Sequence, residues 1–270
     1  MPLRITTRNA RFQLLETLLT NRTKRGRAGE FLVQGVRPIT LAVEHGWQIR
    51  TLLYDGDRRL SSWARAMLDG ADAGERIAMS PQLLAELGEK DDGDVELLAV
   101  VAMRPDDLGR LPTGEHFLGV ALDRPSQPGN IGAIVRSADA FGAHGVVTTG
   151  HAADAYDPRS VRASTGSFFA TPVVRVPSHR EVMAWVESER AAGTPIVVVA
   201  TDEAGETDLA DFDLTLPVLL LVGNETVGLS RAWRDAADVT LRIPTTGSAS
   251  SLNAANAASV VLYEARRQRR

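Results

Sequence analysis

Three loops that are rich in glycine and polar residues could form one ligand site. The first lies within residues 122–142, where an apolar stretch passes through a Pro/Gly turn into a helical pattern that carries Arg136. The second and third are residues 223–228 and 243–253, and each again follows an apolar stretch. In parallel α/β sheets, ligands bind beyond the carboxyl ends of the strands, where glycine lets backbone donors approach closely. The pattern therefore predicts a shared binding site.

The charged residues of the first two loops suggest the chemistry. Arg136 follows Gly132 by one helical turn, so it could point back at a loop ligand and hold a phosphate or stabilise a developing alkoxide. A surface ion pair with Asp139 is the structural alternative. Glu225 could accept hydrogen bonds from backbone amides or bind an arginine, and its alternative is a solvated turn acid.

The third loop leads into the last helix. Ser250 or Ser251 is the expected N-cap. Asn253 is expected to be buried and bonded to a loop, with Asn256 one turn further on. Residues 129–132 lack the three-glycine fingerprint of dinucleotide sites, and residues 223–228 lack the lysine of a P-loop. A nucleotide-dependent oxidoreductase is therefore only a secondary hypothesis.

The elements that must position these loops read as an α/β protein. From residue 117 onward, strand and helix patterns alternate, with continuous apolar runs at 117–122, 145–148, 196–200, 218–222 and 239–243. Such runs are typical of a parallel sheet covered on both faces. Ser178 to Glu181 predicts a capping box at a helix start. The first hundred residues predict a small α/β sandwich, so the domains are placed at 1–103 and 116–270, with a linker at 104–115.

Composition limits the function classes. The 270 residues include no cysteine, and the five histidines lack metal-ligand spacing, so neither disulfides nor a metal site is expected. No apolar run is long enough for a membrane span, and a cytoplasmic location is expected. The net charge is −4, yet residues 1–37 hold eight basic side chains against two acidic ones. This basic end predicts a phosphate-binding module or, alternatively, a solvated surface.

Together the motifs resemble those of a known enzyme family. They are Asn130-x-Gly132-x-x-x-Arg136, Gly223-Asn-Glu225-x-x-Gly228, and Ile243-Pro-x-x-Gly-x-x-x-Ser251-Leu-Asn253. In order and spacing they resemble motifs 1, 2 and 3 of the SpoU (TrmH-like) branch of SPOUT RNA 2′-O-ribose methyltransferases. Residues 8–37 look like the ribosomal-protein-like RNA-binding domain that many members carry. Thr226 and Thr245 depart from the usual glycine of motif 2 and methionine of motif 3.

The resemblance implies a C-terminal SPOUT domain with a deep trefoil knot, S-adenosyl-L-methionine as cofactor and a homodimer. The implied cofactor-binding residues are Thr201, Gly223, Asn224, Ile243 and Leu252. The implied catalytic residues are Arg136, Asn130, Glu225, Ser251 and Asn253. The implied RNA-binding residues are Arg8, Arg22, Lys24, Arg25, Arg27 and Arg37.

The expected reaction is 2′-O-methylation of a ribose, with a uridine of large-subunit rRNA as the favoured target and resistance to a ribosome-targeting antibiotic as an accompanying hypothesis. A tRNA substrate is the main alternative. A catalytically silent RNA-binding assembly factor is another. Because arginine is almost never neutral in proteins, Arg136 is expected to act electrostatically rather than as a base.

Overall fold

The computed structural model describes residues 3–89, 95–248 and 251–270. The strands, in chain order, are β1 Leu3–Ile5, β2 Glu30–Gln34, β3 Ile49–Asp55, β4 Ala73–Met79, β5 Leu97–Ala102, β6 Leu118–Asp123, β7 Gly145–Thr149, β8 Val173–Val176, β9 Val197–Thr201, β10 Thr207–Asp208, β11 Val218–Val222 and β12 Val239–Arg242. The helices are α1 Ala10–Thr20, α2 Arg22–Ala28, α3 Val36–Glu44, α4 Ser62–Gly70, α5 Pro81–Leu87, α6 Pro128–Ala140, α7 Pro158–Ala163, α8 Ser167–Ala170, α9 His179–Ala191, α10 Arg231–Ala236 and α11 Ala254–Gln268. Two short 3₁₀ helices cover Leu108–Arg110 and Leu209–Asp211.

The described chain forms two compact units. The N-terminal unit comprises the residues up to Arg104 together with Tyr156–Ala170. The C-terminal unit comprises Pro105–Ala155 and Thr171–Arg270. The sequence-based boundaries, 1–103 and 116–270, do not assign residues 156–170 to the N-terminal unit.

The N-terminal unit is built on a mixed sheet of five strands in the order β1-β4-β3-β5-β2. Strand β5 runs antiparallel to both β2 and β3, whereas the other pairs are parallel. Helix α1 starts where the Asn9 side chain accepts a hydrogen bond from the Phe12 N–H at 3.0 Å. It buries Phe12, Leu15 and Leu18 on one face. These three residues are spaced three apart, which places their side chains on one side of a helix.

Residues 156–170 contribute aromatic side chains to the core of this unit. Phe168 is fully buried, and its ring lies 5.9 Å from the rings of both Phe31 and Trp47 and 5.2 Å from that of Tyr156. The Trp47 indole N–H donates to the Phe169 carbonyl oxygen at 2.9 Å. The segment is therefore held both by ring packing and by a buried hydrogen bond.

The C-terminal unit contains seven parallel strands in the order β10-β12-β9-β11-β6-β7-β8. Every residue of β6, β7 and β11 is buried. This confirms the α/β class and the parallel sheet that the continuous apolar runs predict. Helix α9 begins at the predicted capping box, where the Ser178 hydroxyl donates to Glu181 at 2.5 Å and accepts from the Arg180 N–H at 3.2 Å.

Helix α11 packs its small residues inside its own unit. Its buried side chains are Ala255, Ala258, Val261, Leu262 and Ala265. The Ser137 and Ser259 hydroxyls, 2.7 Å apart, join α6 to α11. The small-residue face is thus taken up by α6 and is not free to contact another chain. Across residues 3–89, 95–248 and 251–270, no helix combines the length and apolar character that crossing a membrane requires.

The N-cap expected at Ser250 or Ser251 is wrong for Ser251, and Ser250 lies outside the described residues. Asn253 is the cap instead, because its side-chain oxygen accepts from the Ala255 N–H at 2.9 Å. An asparagine caps as well as a serine, so the choice between them depends on where the helix starts. At the other end of α11, the Arg269 guanidinium donates to the carbonyl oxygens of Leu214 and Phe117 at 2.8 and 3.1 Å.

Candidate active site

A cavity of about 470 Å³ lies at the carboxyl ends of three neighbouring strands of the C-terminal unit, β12, β9 and β11. Its walls come from the loops that follow these strands and from the start of α11. Its lining residues are Thr201, Asp202, Glu203, Val222, Gly223, Asn224, Glu225, Thr226, Gly228, Leu229, Ile243, Thr245, Ser251, Leu252, Asn253, Ala254 and Ala257. Parallel strands direct their carboxyl ends to one edge of a sheet, so the loops must meet there.

The loop after β11 is a tight turn that requires its glycines. The Asn224 and Gly228 backbones exchange hydrogen bonds of 3.1 and 2.9 Å, and Gly228 has a φ of +66°. A Cβ atom on Gly223 would lie 2.5 Å from the Gly228 carbonyl carbon, closer than side chains can approach. Thr226 does not adopt a positive φ, so it needs no glycine at its position. The departure from the usual motif 2 is therefore compatible with the loop.

Glu225 joins this loop to the start of α6. One carboxylate oxygen accepts from the Ser126 N–H at 3.0 Å and from the Ser126 hydroxyl at 2.8 Å. The other accepts from the Gln127 N–H at 3.2 Å and from the Asn130 amide at 2.9 Å. Burial raises the pKa of Glu225, but these hydrogen bonds outweigh that effect and lower it from 4.5 to about 2. Glu225 is therefore ionised at neutral pH and caps the helix that carries motif 1.

Asn130 and Asn253 extend this connection to the third loop. The Asn253 amide donates to the Asn130 side-chain oxygen at 3.4 Å, while the Asn130 amide donates to Glu225. A chain of hydrogen bonds thus links all three motif loops through one side chain from each. The expectation that Asn253 is buried is wrong, because the residue is exposed at the helix start. Its expected bond to a loop residue is present.

Arg136 lies apart from the cavity. Helix α6 begins at Pro128, so Arg136 is eight residues into it, about 12 Å along the axis at about 1.5 Å per residue. The side chain is exposed and does not line the cavity. Arg136 is therefore not among the residues that form the cavity wall of its own chain. Within the described residues it has no ion pair or hydrogen-bond partner, so the alternative pairing with Asp139 is also not formed.

The five predicted cofactor residues all line the same cavity: Thr201, Gly223, Asn224, Ile243 and Leu252. Ser251 lines it too. Sequence reasoning missed Asp202 and Glu203, which follow β9 directly and bring two carboxylates to the wall. The rule that ligands lie beyond strand ends could have found them. In the part of the chain that the structure describes, no cluster of three or more His, Asp or Glu side chains is arranged to hold a metal ion.

The predicted RNA-binding residues differ in how available they are. Arg22, Lys24 and Arg27 are exposed on α2. The Arg8 side chain forms ion pairs with two carboxylates, and Arg37 donates through Nε to a backbone carbonyl at 3.1 Å.

The prediction for Arg25 is corrected by its burial. Only 2% of this residue is exposed, and its guanidinium donates to the carbonyl oxygens of Leu18 and Leu19 at 2.8 and 2.9 Å. A phosphate cannot reach it without disrupting the unit.

Comparison with known proteins covers both units. The SpoU L30e-like domain matches residues 9–99, and the SpoU rRNA Methylase family matches residues 118–263. Over 266 residues, the chain is 66% identical to the 23S rRNA (uridine(2479)-2′-O)-methyltransferase of Streptomyces viridochromogenes, an alignment that covers 98% of this chain and 92% of the relative.

Solved structures agree with the sequence matches. The SpoU methyltransferase AviRb from Streptomyces viridochromogenes, in complex with the cofactor AdoMet, matches with a TM-score of 0.93 and 66% identity, over 97% of this chain and 98% of that chain. An AdoMet-bound rRNA methyltransferase from Sinorhizobium meliloti matches with a TM-score of 0.85 and 32% identity, over 98% and 97%. The motifs, the parallel sheet and these matches together place the chain in the SpoU rRNA methylase family.

Proposed function

We propose that this chain methylates a ribose 2′-hydroxyl of RNA with S-adenosylmethionine, and that its target is a uridine of 23S rRNA. The observation that carries the proposal is the cavity at the ends of β9, β11 and β12, which gathers residues of motifs 2 and 3 on one wall. The 66% identical relative is named for this reaction, and the AviRb structure holds AdoMet. Resistance to a ribosome-targeting antibiotic is a cellular consequence included in the proposal.

The cavity residues fit the cofactor. Its volume of about 470 Å³ is in the range of small-molecule sites. Val222, Ile243 and Leu252 offer apolar walls for an adenine ring, and the carboxylates of Asp202 and Glu203 are the groups that accept hydrogen bonds from ribose hydroxyls. We assign cofactor binding to Thr201, Gly223, Asn224, Ile243 and Leu252.

Bound S-adenosylmethionine supplies an electrophilic methyl group on a sulfonium. The protein must then hold the 2′-hydroxyl in line with it and lower the cost of losing the hydroxyl proton. Glu225, Asn130 and Asn253 serve this indirectly, since their hydrogen bonds hold the three motif loops in one arrangement. Ser251 presents a hydroxyl at the cavity wall, where it can donate to or accept from the ribose.

Arg136 supplies the positive charge in this proposal. Its guanidinium stays protonated, so it stabilises the developing alkoxide and the adjacent phosphate rather than removing a proton. Because Arg136 lies outside the cavity of its own chain, the reaction requires the RNA or a second subunit to bring the two together. We propose a homodimer, supported by the exposed Val260 and Tyr263 on α11, of which 39% and 54% are exposed. The trefoil knot stays a prediction from the family resemblance.

RNA recognition in this proposal is divided between the units. The C-terminal cavity takes the target nucleoside, and the N-terminal unit holds the flanking RNA through Arg8, Arg22, Lys24, Arg27 and Arg37. Lys24, Arg27 and Arg37, which have no carboxylate partner within the described residues, should contribute most of the salt-dependent binding. Arg25 has no part in this surface.

The test is methyl transfer from radiolabelled S-adenosylmethionine to purified 23S rRNA, 16S rRNA and bulk tRNA. Label in a single alkali-resistant dinucleotide of 23S rRNA is the expected result, because a 2′-O-methyl group blocks alkaline cleavage of the following bond. Label in tRNA alone would replace the substrate assignment. Cofactor binding with no transfer to any RNA would contradict the enzymatic proposal and favour a silent RNA-binding factor.

A further inference from the structure

A second cavity, of about 650 Å³, lies entirely within the N-terminal unit. It is bounded by the start of α3, by Trp63 of α4, by Gly88, Glu89, Val95 and Glu96, and by Arg162 of α7. Its apolar lining includes Val36, Pro38, Val95 and Leu97. Val36 is 58% exposed at the rim, which is a high value for a large aliphatic side chain that lines a cavity.

Trp63 is an aromatic residue in the wall of this cavity. Its residue is half-buried, and its indole N–H donates to the Thr40 hydroxyl at 3.0 Å. The polar atom of the side chain is thus satisfied within the protein. Among residues 3–89, 95–248 and 251–270, no aromatic ring or guanidinium stacks on Trp63, whereas Trp47 carries both kinds of contact. Trp63 therefore lines the cavity without such a ring or guanidinium partner in the described residues.

The charged residues that line the cavity are two arginines, Arg37 and Arg162, and two carboxylates, Glu89 and Glu96. Arg162 forms an ion pair with Glu89, and Glu96 accepts a hydrogen bond from the Ser61 N–H at 3.0 Å. Arg37 donates through Nε to the Thr165 carbonyl oxygen, and no carboxylate in the described part of the chain pairs with it. The carbonyl holds the guanidinium in place without neutralising it. An anionic group at the rim would complete its charge.

We propose that this cavity binds one unstacked nucleotide of the substrate RNA, with the base against Trp63 and a backbone phosphate at Arg37. Single-stranded RNA is recognised by stacking splayed bases on aromatic side chains, with arginine at the backbone. A cavity with apolar walls, a tryptophan in its lining and an arginine that no carboxylate of the described residues pairs with matches the chemistry of a nucleotide. This inference rests on the proposed function, since it assigns to the N-terminal unit the binding of the RNA that is methylated at the C-terminal cavity.

The test compares two exposed positions of the same unit in the full-length chain. Val36→Glu places a carboxylate at the rim, and Leu14→Glu places one on α1, where 60% of the residue is exposed. The two variants carry the same added charge. We expect Val36→Glu to weaken binding of a short single-stranded oligouridylate about tenfold, as loss of one base stack does, and Leu14→Glu to bind within about twofold of wild type. Equal affinities for the two variants would overturn the proposal.

A second measurement separates a nucleotide site from local misfolding. Oligouridylate stacked on Trp63 should quench its fluorescence, so quenching should be lost in Trp63→Phe, while the thermal unfolding midpoint stays close to wild type. Quenching that persists in Trp63→Phe would place the base elsewhere.

With 23S rRNA, Val36→Glu should raise KM about tenfold and leave kcat and S-adenosylmethionine binding unchanged. Unchanged KM beside normal methyl transfer would overturn the nucleotide site alone. Absence of methyl transfer in wild type beside a normal oligouridylate response would overturn the proposed function alone.

Discussion

At the C-terminal cavity, hydrogen bonds between polar groups join the loops. In the N-terminal unit, residues 156–170 are instead held mainly by the packing of aromatic rings. Glu225 accepts four hydrogen bonds near the start of α6. The donors are the N–H and the hydroxyl of Ser126, the N–H of Gln127 and the side-chain amide of Asn130. Phe168 instead lies among the rings of Phe31, Trp47 and Tyr156 with no exposed surface. Both arrangements connect residues that are far apart in the sequence.

The difference matches what each region must do. A hydrogen-bond network sets direction and fails when one acceptor is lost, which suits loops that must present groups to a reacting centre. Ring packing depends on volume and tolerates small shifts, which suits a unit that only has to stay folded beneath a binding surface. Substitutions at the C-terminal cavity should therefore lower turnover more than stability, and substitutions among the aromatic rings around Phe168 should lower stability more than turnover.

The largest effect is expected for Phe168→Ala. Removing a fully buried phenylalanine costs about 3–5 kcal/mol, because the cavity left behind is only partly filled. Urea unfolding of the full chain would measure this loss. Leu14→Ala, at an exposed site of the same unit, should change the free energy of unfolding by less than about 0.5 kcal/mol. A loss below about 1 kcal/mol for Phe168→Ala would mean that residues 156–170 are not an essential part of the N-terminal core.

Next in size is the effect of Glu225→Ala on methyl transfer. The change leaves the Ser126 and Gln127 N–H groups and the Asn130 amide without their acceptor. Loss of a charged acceptor with several donors corresponds to about 3 kcal/mol, or roughly a hundredfold lower kcat.

The matched control for Glu225 is Glu181→Ala. Glu181 also serves a helix start, in the capping box of α9, but it does not line the cavity. Its loss should leave kcat near wild type. Equal losses of kcat in the two variants would show that capping in general, rather than the connection between motif loops, is what turnover requires.

Local patterns predict much of this fold. Residues 218–222 are predicted as a strand with the bounds of β11, because an apolar run between turn residues needs no distant information. The five cofactor residues also reach one cavity, since motif spacing and the strand-end rule act along the chain. Strand β8 and helices α7 and α8 are missed, because they are only four to six residues long and carry little periodicity.

The remaining misses depend on three-dimensional partners. Nothing near Phe168 in the sequence shows that its ring belongs with Phe31, which is 137 positions away. The burial of Arg25 depends on carbonyl groups of α1, and charge counting treats all basic residues as surface groups. For Arg136, the helix start at Pro128 rather than near Gly132 moves the side chain about one turn further from the loop.

A smaller effect is expected from pH, and it separates two carboxylates with similar pKa values. Burial raises the pKa of Glu225, yet hydrogen bonds from Ser126 and Asn130 lower it to about 2, while the Arg267 side chain lowers that of Glu264 to about 2. Both folded-state values lie below 4.5, so each carboxylate stabilises the fold above pH 4.5 and loses this contribution as the pH falls toward 2.

Salt should separate the two contributions. Glu225 is held by neutral donors. Its contribution to the loss of stability between pH 4.5 and 2, which is the difference between wild type and Glu225→Gln, should therefore persist in 1 M salt, where the screening length is about 3 Å. Glu264 is paired with a cation, so its contribution to the loss of stability, measured as the difference between wild type and Glu264→Gln, should become smaller in the same salt. Urea unfolding at several pH values gives both numbers. Equal salt sensitivity would contradict the description of the cavity network as one of neutral donors.

The smallest effect tests whether free and paired cations of the N-terminal unit differ in RNA binding. Lys24 and Arg27 are exposed on α2, and no carboxylate in the described ranges pairs with either. Arg11 forms an ion pair with Glu75 at 2.6 Å. Replacing both Lys24 and Arg27 by Gln should reduce the slope of log affinity against log salt by about 1.4, since each phosphate contact with single-stranded RNA contributes about 0.7.

The control is the double variant Arg11→Gln, Glu75→Gln, which removes a cation together with its neutralising partner. Its salt slope for 23S rRNA should match wild type, because an ion pair that is already formed releases few counterions. If the Arg11→Gln, Glu75→Gln variant loses as much salt slope as the variant with Lys24 and Arg27 replaced, Arg11 exchanges its carboxylate for a phosphate when RNA binds. The RNA-binding surface would then include the paired arginines Arg4, Arg8 and Arg11, and the excess of basic residues in 1–37 would act as a whole rather than through its unpaired members.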